Sequence, residues 1–306
     1  MCDETTEREL DAHLERKALT RRGFTARASS LIAAGTLLTT ACATSGTNVE
    51  AAQSAAGELI ETDVRVPTPD GEADALFVHP ASGAHAAVIF WPDIHGVRPA
   101  FFDMARRLAA SGYAVLAVNP YYRSHSGRLF AEGQSIRDPG GREQVGPHYS
   151  LLNPGTVRTD AAALTAWLDQ QSAVDTARGI GAVGFCMTGS WTLRAAAALP
   201  ERINAPCSFH GGGLVTAEAD SPHLLAPQIK GGVLIAIAEN DHERAPEAKD
   251  ALTSAFESAN VPAEIEVYAD AMHGWVPTDS RAHDPEQSER AWGRMLALFD
   301  AQLAAD

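Results

Sequence analysis

A mostly parallel α/β sheet covered by helices on both faces is the fold class this sequence predicts, and three observations predict it. Short, continuous apolar runs such as Ala86–Trp91, Tyr113–Val118 and Val233–Ala238 recur along the chain. Segments with helical patterning separate them, as in Phe101–Ser111 and Thr156–Gln171. Strands buried on both faces lack the in/out alternation of a half-exposed sheet, and strand–helix alternation is how a parallel sheet is wound. Third, chemically reactive side chains follow the ends of these strands, where open α/β sheets place their ligands.

In chain order, Thr62–Pro67 and Ala73–His79 form a leading antiparallel pair split by the turn Pro69-Asp70-Gly71. Ala86–Trp91 is the next strand, and the helix Phe101–Ser111 stops at Gly112. Tyr113–Val118 follows and is closed by Asn119-Pro120. Residues 121–154 are a long connection rich in Gly, Pro, Arg and His, of the kind that forms a functional lid. After the helix Thr156–Gln171 come strands Ile180–Phe185, Ile203–Phe209, Gly232–Ala238 and Ala263–Tyr268. Helices over Ser190–Leu199, Pro246–Ser258 and Pro285–Leu303 complete a sheet of about eight strands.

The 306 residues are enough for one large domain, and their composition, 45% hydrophobic and 21% charged, is that of a globular protein. A net charge of −15 argues against a nucleic-acid partner or an anionic membrane surface. Residues 1–43 are read as an export segment: Thr20-Arg21-Arg22-Gly23-Phe24 supplies twin arginines, a weakly apolar run covers Ala28–Ala41, and Ala41-Cys42-Ala43 is a small-residue cleavage site. The run is too short and polar to span a membrane. Cys42 leaves lipidation open as an alternative to release into the periplasm or medium. The first 43 residues hold six acidic and six basic side chains, so the whole −15 belongs to the remainder. Residues 44–58 read as a linker and 59–306 as the globular domain, expected to be monomeric.

The chemistry concentrates at Gly184-Phe185-Cys186-Met187-Thr188-Gly189, between a buried strand and a helix. Strand, tight turn and helix is the setting in which an α/β-hydrolase fold exposes its nucleophile, here a cysteine. Asp241 follows the strand ending at Ala238, and His273 follows the one ending at Tyr268. Nucleophile, acid, histidine is the chain order of that fold. His273 would carry the proton and Asp241 would orient it, while a helix N-terminus and a nearby His favour a thiolate at Cys186. The backbone N–H groups of Met187 and Ile94 are the natural oxyanion donors. Glu239 and Asp270 compete with Asp241, and His242 with His273. His210, at another strand end, either lines the pocket or caps a turn. His95, Arg123 and Trp275 are further candidates for the pocket wall. A Cys186–Cys207 disulfide is the bland alternative, although Cys207 reads more simply as a buried apolar residue. No Cys/His cluster has metal-ligand spacing and no phosphate loop follows the first strand, so neither metal nor organic cofactor is expected.

Four segments, Trp91–Val97, Gly184–Gly189, Glu239–His242 and Met272–Trp275, resemble the dienelactone hydrolase (carboxymethylenebutenolidase-like) family of α/β-hydrolases. The resemblance implies a Cys186, Asp241, His273 triad and places Asp93 at the position of a carboxylate that assists thiol ionisation. Three departures stand out: Asp93 replaces a longer Glu, Thr188 takes a position commonly Gly, and Val276-Pro277 follow where a substrate-binding Arg is usual. Arg98, Arg123 or Arg128 could supply that anion contact. The expected activity is hydrolysis of a small ester or lactone through an acyl-enzyme on Cys186. Because a thiolate is itself a good leaving group, enol lactones and similarly activated esters are favoured over peptides. A non-catalytic binding protein of the same fold, or a thiol redox protein using Cys186, are the alternatives.

Overall fold

The computed structural model describes residues 5–6, 8–17 and 57–304. The chain divides into two compact units, Cys2–Ala56 and Gly57–Asp306. In the first, residues 8–17 are helical. The twin-arginine motif, the apolar run and Cys42 lie outside the described residues.

The larger unit is built on eight strands: β1 (Leu59–Thr68), β2 (Gly71–Pro80), β3 (Ala87–Trp91), β4 (Ala114–Val118), β5 (Ile180–Phe185), β6 (Ile203–Phe209), β7 (Val233–Ala238) and β8 (Ala263–Tyr268). Their order across the sheet is β1-β2-β4-β3-β5-β6-β7-β8. The β1–β2 hairpin and the β2–β4 pair are antiparallel, and every other pairing is parallel. The carboxyl ends of β3, β5, β6, β7 and β8 therefore share one edge, as the fold class requires.

Helices α1 (Pro99–Ala110), α2 (Gly141–Tyr149), α3 (Pro154–Leu168), α4 (Gly189–Ala198), α5 (Glu239–Arg244), α6 (Glu247–Ser258) and α7 (Pro285–Gln302) connect and cover the strands. Alternation of side chains along each strand sends residues to two core layers. From β3, Ile89 and Trp91 join Leu164, Leu193 and Phe256, while Val88 and Phe90 join Phe101, Leu108, Trp292 and Phe299. Each large apolar side chain buried in this way contributes about 1.5–3 kcal/mol. Helix α1 shows why its sequence is helical: Pro99 opens it, and Ala100, Phe101, Met104, Ala105 and Leu108 form one buried stripe. Helix α3 starts at Asn153, whose side chain accepts from the N–H groups of Gly155 and Thr156 while Thr156 Oγ1 accepts from the Asn153 N–H.

One stretch differs from its expectation. The connection 121–154 is not a structureless lid: it contains α2 and buries Leu129, Phe130, Ile136 and Val145. Gly146 and Pro147 hid this helix, because both disfavour helix interiors and only packing of Gly141 and Val145 overrides them. Asp241, which follows β7 as expected, lies on the short helix α5.

Candidate active site

The elbow begins with strain. Cys186 has φ +53, in the left-handed region that non-glycine residues rarely adopt, directly after the extended Phe185. The reversal at this point turns β5 into a single 3-10 turn, Cys186–Thr188, and then into α4. Gly184 is obligatory here, since a Cβ would stand 2.2 Å from the Thr188 carbonyl oxygen. Gly189 is equally constrained: its Cβ would fall 2.4 Å from the Gly211 Cα, where the elbow meets the loop after β6. That loop is bonded to the elbow directly, by Gly212 N–H donating to the Cys186 carbonyl at 3.0 Å.

Thr188 does not crowd the turn. Its φ of −90° suits any residue, and its side chain is completely buried as a staple. Thr188 Oγ1 accepts from the Phe185 N–H at 2.9 Å, and lies 2.9 Å from the Pro92 carbonyl and 3.1 Å from the Trp91 carbonyl, to which it donates. A glycine could not make these bonds, which join the elbow to the end of β3.

His273 follows β8 and is 3% exposed. Its Nδ1 lies 2.6 Å from Asp241 Oδ2, and its backbone N–H donates to Asn240 Oδ1 at 2.8 Å. Adjacent residues of α5 thus hold the ring and the backbone of one histidine. Burial by itself would raise the Asp241 carboxyl, but the charge of His273, its hydrogen bond, and the neighbouring Arg244 and His210 outweigh that and hold it below its usual range. An ionised Asp241 at Nδ1 fixes the tautomer that leaves Nε2 for proton transfer. Glu239 is turned to a different task, accepting from the Asp270 N–H at 3.0 Å.

His210 is 1% exposed and adopts φ +40, a second strained residue at the same sheet edge. Its ring stands edge-on to His273 at 5.0 Å, with Trp275 at 5.1 Å and Phe185 at 6.1 Å. His210 therefore buttresses His273 from the β6 side. Trp275, by contrast, is fully buried and stacked on Tyr268 at 5.3 Å. Its carbonyl accepts from Ser288 Oγ and from the Asp284 N–H, so it belongs to the scaffold of the α7 entry rather than to a pocket wall.

On the β3 side, Asp93 is gripped by a bidentate Arg98, NH1 to Oδ1 at 2.7 Å and NH2 to Oδ2 at 2.9 Å. Arg98 also binds Asp279, through Nε at 2.6 Å and NH2 at 3.1 Å. His95 adds its backbone N–H at 2.9 Å and sets Nδ1 3.2 Å from the same Asp93 oxygen, while its Nε2 faces Ser135 Oγ of the long connection. Burial opposes ionisation of Asp93, yet Arg98 and His95 together hold its carboxyl well below the usual range. The loop after His273 thus brings an acidic residue, Asp279, to Arg98. Arg98 is spoken for as a carboxylate clamp within the protein.

Arg123 is likewise committed. It binds Asp160 at 2.7 and 2.9 Å and Asp70 at 2.7 and 2.9 Å, beside a Tyr122 hydroxyl that donates to Asp160 at 2.6 Å. These contacts fasten the start of the long connection to α3 and the β1–β2 turn. They correct the placement of Arg123 on the pocket wall, because its guanidinium is consumed by two carboxylates. Arg128 lines a cleft of about 430 Å³ with Arg65, Asp74, Val97 and Phe102.

Cys186 and Cys207 are separate free thiols, which removes the disulfide alternative. Burial pushes the Cys207 thiol well above its usual range, so it stays protonated inside β6. Ile94 follows the end of β3 and Met187 the end of β5, and the Tyr121 hydroxyl reaches both, the Ile94 carbonyl at 2.7 Å and Met187 Sδ at 3.5 Å. Among the described residues, neither backbone N–H is used in the turn and loop bonds. No group of His, Cys, Asp and Glu among the described residues is arranged to hold a metal ion, and no described helix is long and apolar enough to cross a membrane. Sequence reasoning missed the Arg98–Asp279 contact and the Tyr121 side chain, whose hydroxyl reaches the Ile94 carbonyl at 2.7 Å.

Residues 73–303 match the model of the dienelactone hydrolase family. A carboxymethylenebutenolidase of Rhodococcus opacus is 27% identical over 239 residues, covering 74% of this chain and 86% of that protein. Among solved structures, a dienelactone hydrolase of Anabaena variabilis superposes with a TM-score of 0.57 at 16% identity, over 80% of this chain and 99% of its own. A dienelactone hydrolase-like promiscuous phosphotriesterase from metagenomic libraries does so with a TM-score of 0.66 at 22% identity, over 81% of this chain and all, 100%, of its own. With the eight-stranded, mostly parallel sheet, these matches show an α/β-hydrolase fold and a hydrolase acting on esters or lactones: the chain belongs to the dienelactone hydrolase family.

Proposed function

We propose that this hydrolase works through Cys186, by an acyl-enzyme, on small activated esters or lactones. The observation that carries the proposal is the His273–Asp241 pair, 2.6 Å apart, at the same sheet edge as a cysteine held with φ +53 on a strand-to-helix elbow. In the first half-reaction His273 Nε2 takes the thiol proton, and the Cys186 sulfur bonds to the carbonyl carbon. The resulting oxyanion is met by the N–H groups of Ile94 and Met187, a type of stabilisation that is commonly the largest electrostatic contribution in acyl transfer. Collapse breaks the carbon–oxygen bond of the ester, and the proton on His273 passes to the leaving oxygen. In the second half-reaction His273 draws a proton from water, hydroxide adds to the thioester, and the Cys186 sulfur leaves and regains that proton.

Asp93 enters this scheme as a neutralised carboxylate, since Arg98 occupies both its oxygens. The test is turnover of p-nitrophenyl acetate and of an enol lactone by the wild-type protein and by Cys186→Ala. The expected result is acetate release by the wild type and loss of turnover by about three orders of magnitude or more in the variant. Retention of turnover in Cys186→Ala would overturn the cysteine mechanism while leaving the family untouched.

The amino-terminal segment we infer to be a twin-arginine export signal with Cys42 at its cleavage region, on the strength of Arg21-Arg22 and the small-residue run that follows. Fractionation of cells expressing the full chain tests it: Arg21→Lys/Arg22→Lys is expected to trap the protein in the cytoplasm.

A further inference from the structure

Tyr121 stands at the carboxyl end of β4, belongs to none of the groups assigned above, and is 1% exposed. Its hydroxyl donates to the Ile94 carbonyl oxygen at 2.7 Å, and the hydroxyl oxygen itself lies 3.5 Å from Met187 Sδ. These two residues, one after β3 and one after β5, are those whose N–H groups the proposed mechanism assigns to the developing oxyanion. We propose that Tyr121 is the positioning residue of the oxyanion hole, its hydroxyl setting the Ile94 peptide against the Met187 turn; the proposal rests on the cysteine mechanism above.

The peptide geometry explains why the bond matters. The Ile94 N–H shares its peptide plane with the Asp93 carbonyl, which accepts from the Gly96 N–H at 3.0 Å. The following plane carries the Ile94 carbonyl, held by Tyr121, and the His95 N–H, held by Asp93 Oδ1 at 2.9 Å. Each plane is thus pinned, and the direction of the Ile94 N–H follows from the pair. Without the hydroxyl, the second plane keeps only one of its two anchors. Planar peptide units transmit this constraint because only φ and ψ at Ile94 remain to rotate.

Tyr121 is itself rigidly placed. Its backbone N–H donates to Asn119 Oδ1 at 3.0 Å, and Asn119 Nδ2 donates to Asp74 at 3.0 Å and to the His125 carbonyl at 2.8 Å. The ring lies against Gly96, where φ is +74 and a Cβ would approach to 3.3 Å. Burial, with the nearby Asp93 and Cys186, pushes the phenol well above its usual range, so the group remains a hydrogen-bond donor throughout the working pH range.

The experiment compares Tyr121→Phe with the wild type and Cys186→Ala by three readouts: kcat and KM for p-nitrophenyl acetate, inhibition by an aryl trifluoromethyl ketone, and the pH profile of Cys186 alkylation by iodoacetamide. The ketone takes up the thiolate and presents an oxyanion to the hole; alkylation forms no oxyanion. The expected result is a fall in kcat of about tenfold, smaller than the hundredfold or more for loss of a donor itself, matched by a weakening of the ketone, with KM and the alkylation profile unchanged. Undiminished kcat in a folded Tyr121→Phe, or a parallel fall in alkylation, overturns the proposal. Turnover that survives in Cys186→Ala instead marks failure of the cysteine mechanism. Should Tyr121→Phe not fold, Gly96→Ala, which presses on the same ring, is expected to show the same pattern and overturns the proposal if it leaves both kcat and the ketone unaffected.

Discussion

Two carboxylates, the buried Asp93 and the half-buried Asp241, flank this site, and they are held in opposite ways. Asp241 meets His273 at 2.6 Å, a histidine whose charge changes during turnover in the proposed mechanism. Asp93 meets an arginine that never loses its charge, through two bonds of 2.7 and 2.9 Å, and that arginine is bound in turn by Asp279. Both carboxyls are held below their usual range. The charge of Asp241 is therefore available to stabilise an imidazolium, whereas that of Asp93 is already paired with a permanent cation. In the proposed mechanism it is the partner, not the direction of the pKa shift, that sets the catalytic carboxylate apart from the structural one.

Four changes to these residues separate the roles of the two carboxylates. Replacing Asp241 by Asn preserves shape but favours the wrong tautomer of His273; kcat for an activated ester is expected to fall by roughly 10⁴-fold, with the folded protein retained. A loss of less than tenfold would place Asp241 outside the machinery. Replacing Arg98 by Met strands the charge of Asp93 in a buried setting, and a stability loss of about 3–5 kcal/mol is expected in urea unfolding. Asp93→Asn in that background should return part of it.

Protonation is the third change. For both carboxylates the folded-state pKa lies below the unfolded value near 3.8, so each contributes stability that is present above that value and is lost as the pH falls through the folded one. In Arg98→Met, Asp93 loses the partner that lowers it and burial raises it instead. The stability deficit of Arg98→Met against wild type should therefore shrink as the pH is lowered toward 4; a deficit independent of pH would contradict the assignment. The smallest catalytic effect is expected for Asp93→Asn alone, a change in kcat within about tenfold, since Arg98 already cancels its charge. A loss as large as that of Asp241→Asn would make Asp93 a participant and erase the distinction. Alongside these, Thr188→Val is expected to cost about 1–3 kcal/mol by leaving the Phe185 N–H and the Trp91 and Pro92 carbonyls without their hydroxyl, with Thr188→Ser recovering most of it.

The amino-acid sequence by itself determined the strand–helix order, the elbow at Cys186 and the succession of Asp241 and His273. Apolar runs, glycines and turn residues act over a few positions, and parallel winding then delivers strand ends to one edge. It did not show α2, whose Gly146 and Pro147 read as breakers, because burial of Val145 is a tertiary matter. Nor did it separate Arg98, Arg123 and Arg128, which look alike as residues. Only the folded chain decided that Arg98 is clamped by Asp93 and by Asp279, 181 positions away, and that Arg123 closes on Asp70 and Asp160. The same holds for Thr188, a misfit when judged against a tight turn and a staple once β3 lies beside it. Local backbone preference is written in neighbouring residues, whereas the partner of a charge or a hydroxyl is set by which loops the sheet brings together.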